Sequence, residues 1–111
     1  MNRNDKLRLQ HVVEAAKTIE EYTQNITPED FLAERMLRDA VTAQLMIIGE
    51  ASNHLSDEFQ EKHADIPFHK IVGMRNRIIH EYHHVDDKTV WKTCRQDIPE
   101  LRCKIVKILG E

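Results

Sequence analysis

Eleven consecutive residues, Met74-Arg75-Asn76-Arg77-Ile78-Ile79-His80-Glu81-Tyr82-His83-His84, gather side chains that can handle protons and anions. A neutral imidazole is a general base near neutral pH. A guanidinium can grip a phosphate at two points and stabilise the charge that builds on it in a transition state. An amide can orient either group. His80, Arg75 and Asn76 therefore suffice, with no metal, for attack of an RNA 2′-hydroxyl on its own phosphate. Lys70, Arg77, Lys92 and Arg95 flank them and could hold the RNA backbone. At roughly 100° per residue, Asn76 and His80 share a helix face and Arg75 and Tyr82 are nearly eclipsed, but Arg75 and His80 stand about 140° apart. One straight helix brings that pair together poorly. A long Arg side chain, a frayed helix end or a second copy across a two-fold axis would close the gap. The bland alternative is a solvated, charged helix face.

The same stretch spells H-E-x-x-H across His80, Glu81 and His84, a string that in zinc proteases binds the metal and activates water. That reading needs the helix to run well past His84, whereas Val85-Asp86-Asp87 reads as a break and a new cap. It also needs a third ligand, and Asp97 and Glu100 lie on another helix at arbitrary spacing. The zinc protease is a remote alternative, and no metal centre is expected. His11, His54, His63 and His69 are isolated along the chain and read as surface or cap residues.

The elements that must position this cluster are helical almost throughout. Leu9, Val12, Val13, Ala16, Ile19 and Tyr22 recur at three- and four-residue steps, predicting a first helix over about 5–25. Thr27-Pro28-Glu29-Asp30 is a helix start, with a Thr cap, Pro at the first position and acids facing the positive dipole end. A short turn to Leu32 precedes a long helix to about Leu55. Its apolar stripe, Met36 to Leu55, is wide enough to face both the core and something else. Met36, Met46 and Met74 read as core filler. Ser56-Asp57-Glu58-Phe59 starts a short turn, and Asp65-Ile66-Pro67-Phe68 opens the helix that carries the polar cluster. Gly73 within that helix marks close packing. Asp86 is a natural cap for a last helix over about 87–109, read as one helix kinked near Pro99. The predicted fold is all-α, an antiparallel bundle of four main helices plus short helical turns, in a single domain over residues 1–111.

With Arg75, Asn76, His80 and Tyr82 in place, the chain resembles a known family. Arg75-Asn76-x-x-x-His80-x-Tyr82 is similar to the R-x4-H-x-Y signature of the HepT-like branch of the HEPN superfamily. The resemblance extends over nearly the whole chain, through Phe31-Leu32-Ala33-Glu34-Arg35-Met36-Leu37-Arg38-Asp39-Ala40-Val41, Ile47-Ile48-Gly49-Glu50-Ala51, Ile66-Pro67-Phe68, Ile71-Val72-Gly73-Met74, Val85-Asp86, Val90-Trp91 and Asp97-Ile98-Pro99-Glu100-Leu101. It implies a helical homodimer whose two motifs line a cleft between subunits. It also implies an RNA-cleaving toxin paired with a small nucleotidyltransferase that resembles the antitoxin MntA. In some such pairs the partner attaches AMP to the motif tyrosine. Carried over by position, Arg75 would be the phosphate and transition-state cation, and His80 the general base or acid. Asn76 would be the positioning amide and Tyr82 the modification site. Arg77 and Lys70 remain as RNA or partner contacts. The rival reading is a non-catalytic helical subunit that engages the nucleotidyltransferase and presents Tyr82.

Composition bounds these readings. The chain has 111 residues, 16 Lys plus Arg against 19 Asp plus Glu, and a formal charge of −3. That argues against a protein that coats nucleic acid through bulk positive charge, though not against a local basic patch. Three Gly and three Pro are too few for a turn-rich all-β fold. The longest apolar run, Leu45-Met46-Ile47-Ile48, cannot span a bilayer, and Met1 to Lys6 lead into no signal-peptide core, so a cytoplasmic protein without membrane association is expected. Cys94 and Cys103 sit nine residues apart on one helix, too far for a disulfide, and read as buried or half-buried small hydrophobes. No cofactor is implied. A chain this short leaves little room for an enclosed pocket, which places the site in a surface groove or between subunits.

Overall fold

The computed structural model describes residues 1–80 and 86–110, and among these every regular element is helical. Helix α1 spans Arg3–Thr23, where the Asn2 side chain caps it by accepting from the Asp5 N–H at 2.7 Å. The chain then turns through Asn25, whose φ of 59° is in the left-handed region that Asn tolerates better than most residues. Thr27 caps the next helix as expected, and Asp30 adds a return bond to the Thr27 N–H, with Pro28 opening α2, Pro28–Ala33. Helices α3, Arg35–Asn53, and α4, Asp57–Lys62, follow; Ser56 caps the latter. Helix α5 runs Phe68–His80 and Asp86 caps α6, Asp87–Lys92.

The last helix is continuous across Pro99, by a specific device. Thr93–Asp97 adopts π-helical geometry before α7, Ile98–Gly110, and the Ile98 N–H reaches back five residues to the Thr93 carbonyl. Proline has no N–H to give and its ring would press on the carbonyl four residues earlier, at Arg95. Widening the turn just before Pro99 accommodates both defects without ending the helix.

Helix α1 packs against α3 on one side and α7 on the other, and α5 lies against α3. The four main helices are thus α1, α3, α5 and the run from α6 through α7. Leu9, Val12, Ala16 and Ile19 of α1 meet Val41, Leu45 and Ile48 of α3 and Cys94, Leu101 and Ile105 of the last helix in one core. Phe31 of α2 is fully buried and stacks at a tilt on Trp91, 5.2 Å between ring centroids. Asp5 is buried and accepts from the Ser56 N–H at 2.9 Å and the Ser56 hydroxyl at 2.6 Å, which ties the start of α1 to the start of α4. No helix among the described residues is long and apolar enough to cross a membrane.

Several sequence expectations need correction. Met36 is not core filler but 84% exposed, and Ile47 is also exposed. The buried residues of α3 are Val41, Leu45, Ile48, Gly49, Ala51 and Ser52, of which Val41, Leu45, Ile48 and Ser52 form one stripe. Met36 stands five residues from Val41, about 140° around the helix, and so misses that stripe. Met36, Ala43 and Ile47 instead line up with Glu50 and His54 on a second, exposed face. Tyr22 is exposed rather than part of the α1 core stripe. Gly73 does not mark a close contact, because a Cβ built there meets nothing within 4 Å; the tight approach is at Gly49. Cys94 is buried as expected, whereas Cys103 is exposed.

Candidate functional site

The site is built where α3 crosses α5. A Cβ added to Gly49 would fall 2.2 Å from the Arg75 Cβ and 2.6 Å from its Cγ. Only a residue without a side chain lets α5 lie this close, and the next residue on α3, Glu50, then faces the emerging Arg75 guanidinium. The Arg75 Nη2 donates to Glu50 Oε2 at 2.5 Å and Nη1 donates to Asn76 Oδ1 at 2.7 Å. The Arg75 Nε is buried and meets no acceptor among the described residues. The side chain is 23% exposed, so the guanidinium sits at the surface with its stem packed beneath it.

The other Glu50 oxygen, Oε1, lies 2.9 Å from His54 Nε2, one turn further along α3. That hydrogen bond first, and the Arg75 charge second, hold the Glu50 carboxyl below its ordinary range, against a smaller opposing effect of desolvation. His54, Glu50, Arg75 and Asn76 therefore form one chain of contacts across two helices. Glu50 also borders an open groove of about 340 Å3 between α1 and α3, lined by Arg8, His11, Met46, Ile47 and Ala51.

His80 is exposed at the C-terminal end of α5, and Arg77 is exposed on the same helix. Since α5 is helical from Phe68 through His80, Arg75 and His80 are separated by about 7.5 Å along the axis and about 140° around it. The frayed helix end among the sequence-based options is thereby removed up to His80, and a single α5 points the two side chains apart. Lys70 stands in a different cleft, of about 180 Å3 between α5 and α7, with Met74, Asp97 and Lys104. Tyr82 lies outside the described residues, as do Glu81, His83 and His84 of the H-E-x-x-H string. Among the described residues no three His, Cys, Asp or Glu side chains gather as a metal-binding set.

Sequence reasoning missed Gly49, Glu50 and His54 as parts of this site. The Glu50-x-x-x-His54 spacing was a readable signal, because residues four apart meet on a helix. The pairing of Glu50 with Arg75 spans twenty-five residues and carries no local signature.

A guanidinium with two nitrogens already engaged keeps one N–H on each for an incoming anion. The arrangement can therefore hold the oxygens of a phosphodiester beside Arg75, with an amide within reach.

A family model described as "Ribonuclease HepT-like" matches residues 12–108. A Thermococcus cleftensis protein named "Probable ribonuclease HepT" is 41% identical over 108 residues, covering 97% of this chain and 98% of that protein. A Caldanaerobacter subterraneus protein named a "Putative RNase" is 39% identical over 101 residues, covering 91% and 90%. A Methanocaldococcus jannaschii protein named "Gamma-glutamylcyclotransferase and putative RNase" is 40% identical over all of this chain, which spans 50% of that longer protein. No solved structure matches the chain significantly.

Proposed function

This chain belongs to the HepT-like ribonuclease family, and on that premise we propose that it is the toxin of a toxin–antitoxin pair. Its activity would be that of a metal-independent endoribonuclease acting on tRNA or mRNA through Arg75, Asn76 and His80. Its antidote would be a small nucleotidyltransferase similar to MntA that adenylylates Tyr82. The ribonuclease class follows from the family. The target, the chemistry and the partner are the proposal.

The observation that carries the chemistry is the posture of Arg75, half-sunk, bonded to Asn76 and Glu50, and on the same helix as an exposed His80. In the reaction His80 takes the proton of the RNA 2′-hydroxyl, and that oxygen attacks the adjacent phosphorus. Arg75 stabilises the extra charge on the phosphoryl oxygens. The bond to the 5′-oxygen breaks, that oxygen takes a proton from solvent, and a 2′,3′-cyclic phosphate remains.

The separation of Arg75 and His80 around α5 favours a site completed by a second copy. The exposed stripe of Met36, Ala43 and Ile47 supports the same reading, since it leads along α3 to Glu50 and supplies apolar surface for a two-fold contact. A dimer would carry a formal charge of about −6, twice the −3 of one chain, so its positive potential must be confined to the cleft. An adenylyl group on Tyr82 would add negative charge and bulk to the motif and repel RNA.

The test is cleavage of RNA by protein expressed without any partner, in EDTA, beside His80→Ala and Arg75→Ala. Fragments ending in 2′,3′-cyclic phosphate, lost in both variants, are expected. Intact tRNA and mRNA after incubation with protein whose mass shows an unmodified Tyr82 would refute the nuclease. The chain would then be a subunit that binds the nucleotidyltransferase and presents Tyr82. Activity that requires zinc and vanishes in Glu81→Gln would mark the protease instead. Sedimentation of a monomer at micromolar concentration would refute the dimer.

A further inference from the structure

We infer that Glu50 is the positioning residue for Arg75: a carboxylate clamped from behind by His54 that sets the guanidinium in the attitude a phosphate requires, at a crossing that Gly49 alone allows. The inference rests on the reading of Arg75 as the cation on the scissile phosphate.

An arginine side chain is long and rotamer-rich, and its usefulness in a transition state depends on being fixed beforehand. Three features fix this one. Its Cβ and Cγ emerge against Gly49, where any larger residue would collide. Its Nε is buried, so the Nε edge is closed to solvent and to ligand. Its two terminal nitrogens are tied to different acceptors, Glu50 Oε2 and Asn76 Oδ1. Of five N–H donors, one is buried and two are engaged, which leaves one on each terminal nitrogen for the two oxygens of a phosphate.

The clamp works only if the carboxylate is itself immobile. Glu50 is half-exposed, and an exposed glutamate bonded through one oxygen would swing freely. Here both oxygens are held, Oε1 by His54 and Oε2 by Arg75. His54 and Glu50 are both on α3, so the clamp is anchored to one rigid helix and Arg75 reaches it from another. This is the arrangement expected of a group that orients a catalytic side chain without touching substrate.

The charge of Glu50 separates this role from RNA binding. A carboxylate beside Arg75 cancels part of the positive field that attracts RNA. Removing it should leave RNA binding unchanged or slightly tighter while the chemical step slows. An ordinary packing residue would give no such split.

The experiment measures kcat and KM for wild type, Glu50→Ala, Glu50→Gln, His54→Ala and Arg75→Ala on one defined RNA oligonucleotide. In parallel, the rotational order of the Arg75 guanidinium is followed by NMR. The expected result is a kcat loss of tenfold or more for Glu50→Ala with KM unchanged or lower. Glu50→Gln keeps an oxygen that can accept from Arg75 and should stay within about threefold of wild type; His54→Ala should fall between. The guanidinium should be ordered in wild type and Glu50→Gln and rotationally free in Glu50→Ala. Wild-type or faster kcat in Glu50→Ala would overturn the inference, as would equal losses in the Ala and Gln variants or a guanidinium already free in wild type. The NMR arm decides this even where no RNA is cleaved. Arg75→Ala separates the two claims: if it cleaves normally, the reading of Arg75 fails, and if it is dead while Glu50→Ala is normal, only the positioning role fails.

Discussion

Gly49→Ala should destabilise the protein, although the same substitution in an ordinary helix stabilises it. The added methyl would lie 2.2 Å from Arg75 Cβ, 2.6 Å from Cγ and 3.5 Å from Cα. Carbon atoms attract best at about 3.5–4.0 Å, so the crossing must open by roughly 1.3–1.8 Å at that point. Arg75 cannot relieve this by changing rotamer, because a Cβ is fixed by its backbone; the helices themselves must part. Overpacking of this kind costs about 1–3 kcal/mol, and the close contact argues for the upper end. Alanine's better helix propensity returns about 1 kcal/mol. The net loss is on the order of 1–2 kcal/mol, which for a urea slope of about 1–2 kcal/mol per molar lowers the midpoint by roughly 1 M. Two controls sharpen the result. Gly73→Ala, with open space around the new methyl, should raise stability by about 1 kcal/mol. In a double-mutant cycle Arg75→Gly should relieve the Gly49→Ala penalty and Arg75→Ala should not, because alanine retains the offending Cβ. Urea unfolding followed by circular dichroism measures all of these. A Gly49→Ala protein as stable as wild type, or more so, would refute the argument that this glycine sets the distance between α3 and α5.

Asp5→Ala should cost about 2 kcal/mol in the same assay, since it strips two hydrogen bonds from a buried carboxylate and frees the Ser56 end of α4; a change below about 0.5 kcal/mol would refute that tie. Burial pushes the Cys94 thiol up to about 12, so a disulfide reagent at pH 8 should label Cys103 at once and Cys94 only in urea; two equally fast thiols would contradict the buried position. Native Glu50 binds a proton less readily than an ordinary glutamate near 4.5, so its contribution to stability is present above that pH and is lost as pH falls through the lowered value. Glu50→Gln should therefore flatten the decline in urea midpoint below about pH 4.5, and a decline identical to wild type would refute the pairing.

The parts of this structure that were legible beforehand are those with local causes. Thr27-Pro28-Glu29-Asp30 and Asp86 announce helix starts because a cap needs only three or four neighbouring residues. The core stripe of α1 from Leu9 to Ile19 follows from period alone, and so does a last helix that runs on across Pro99, although the π-helical turn that carries the chain past it does not. What escaped depends on which helix crosses which. Gly49 and Gly73 look alike in the sequence, and only the placement of α5 tells the tight one from the open one. Met36 looked like core because the α3 stripe is wide; its true position depends on which third of that stripe α1 covers. Arg75, Asn76 and His80 stand out by their chemistry and spacing within one stretch, while nothing local marks Glu50, because its partner Arg75 lies on another element.

The way α5 is attached has a mechanical consequence. Among the described residues its substantial packing is against α3, with Phe68 touching Phe59 of α4 at its start and a cleft separating it from α7. Its packing is one-sided, on a trunk in which α1 is packed against both α3 and α7. Local opening of such a helix requires less free energy than global unfolding. The amides of α5 should therefore exchange with solvent before those of α1, and Arg75 and His80 would leave the trunk together as one rigid piece. Evolution can then retune the reach of the motif by adjusting a single helix-to-helix seam, leaving the trunk unchanged.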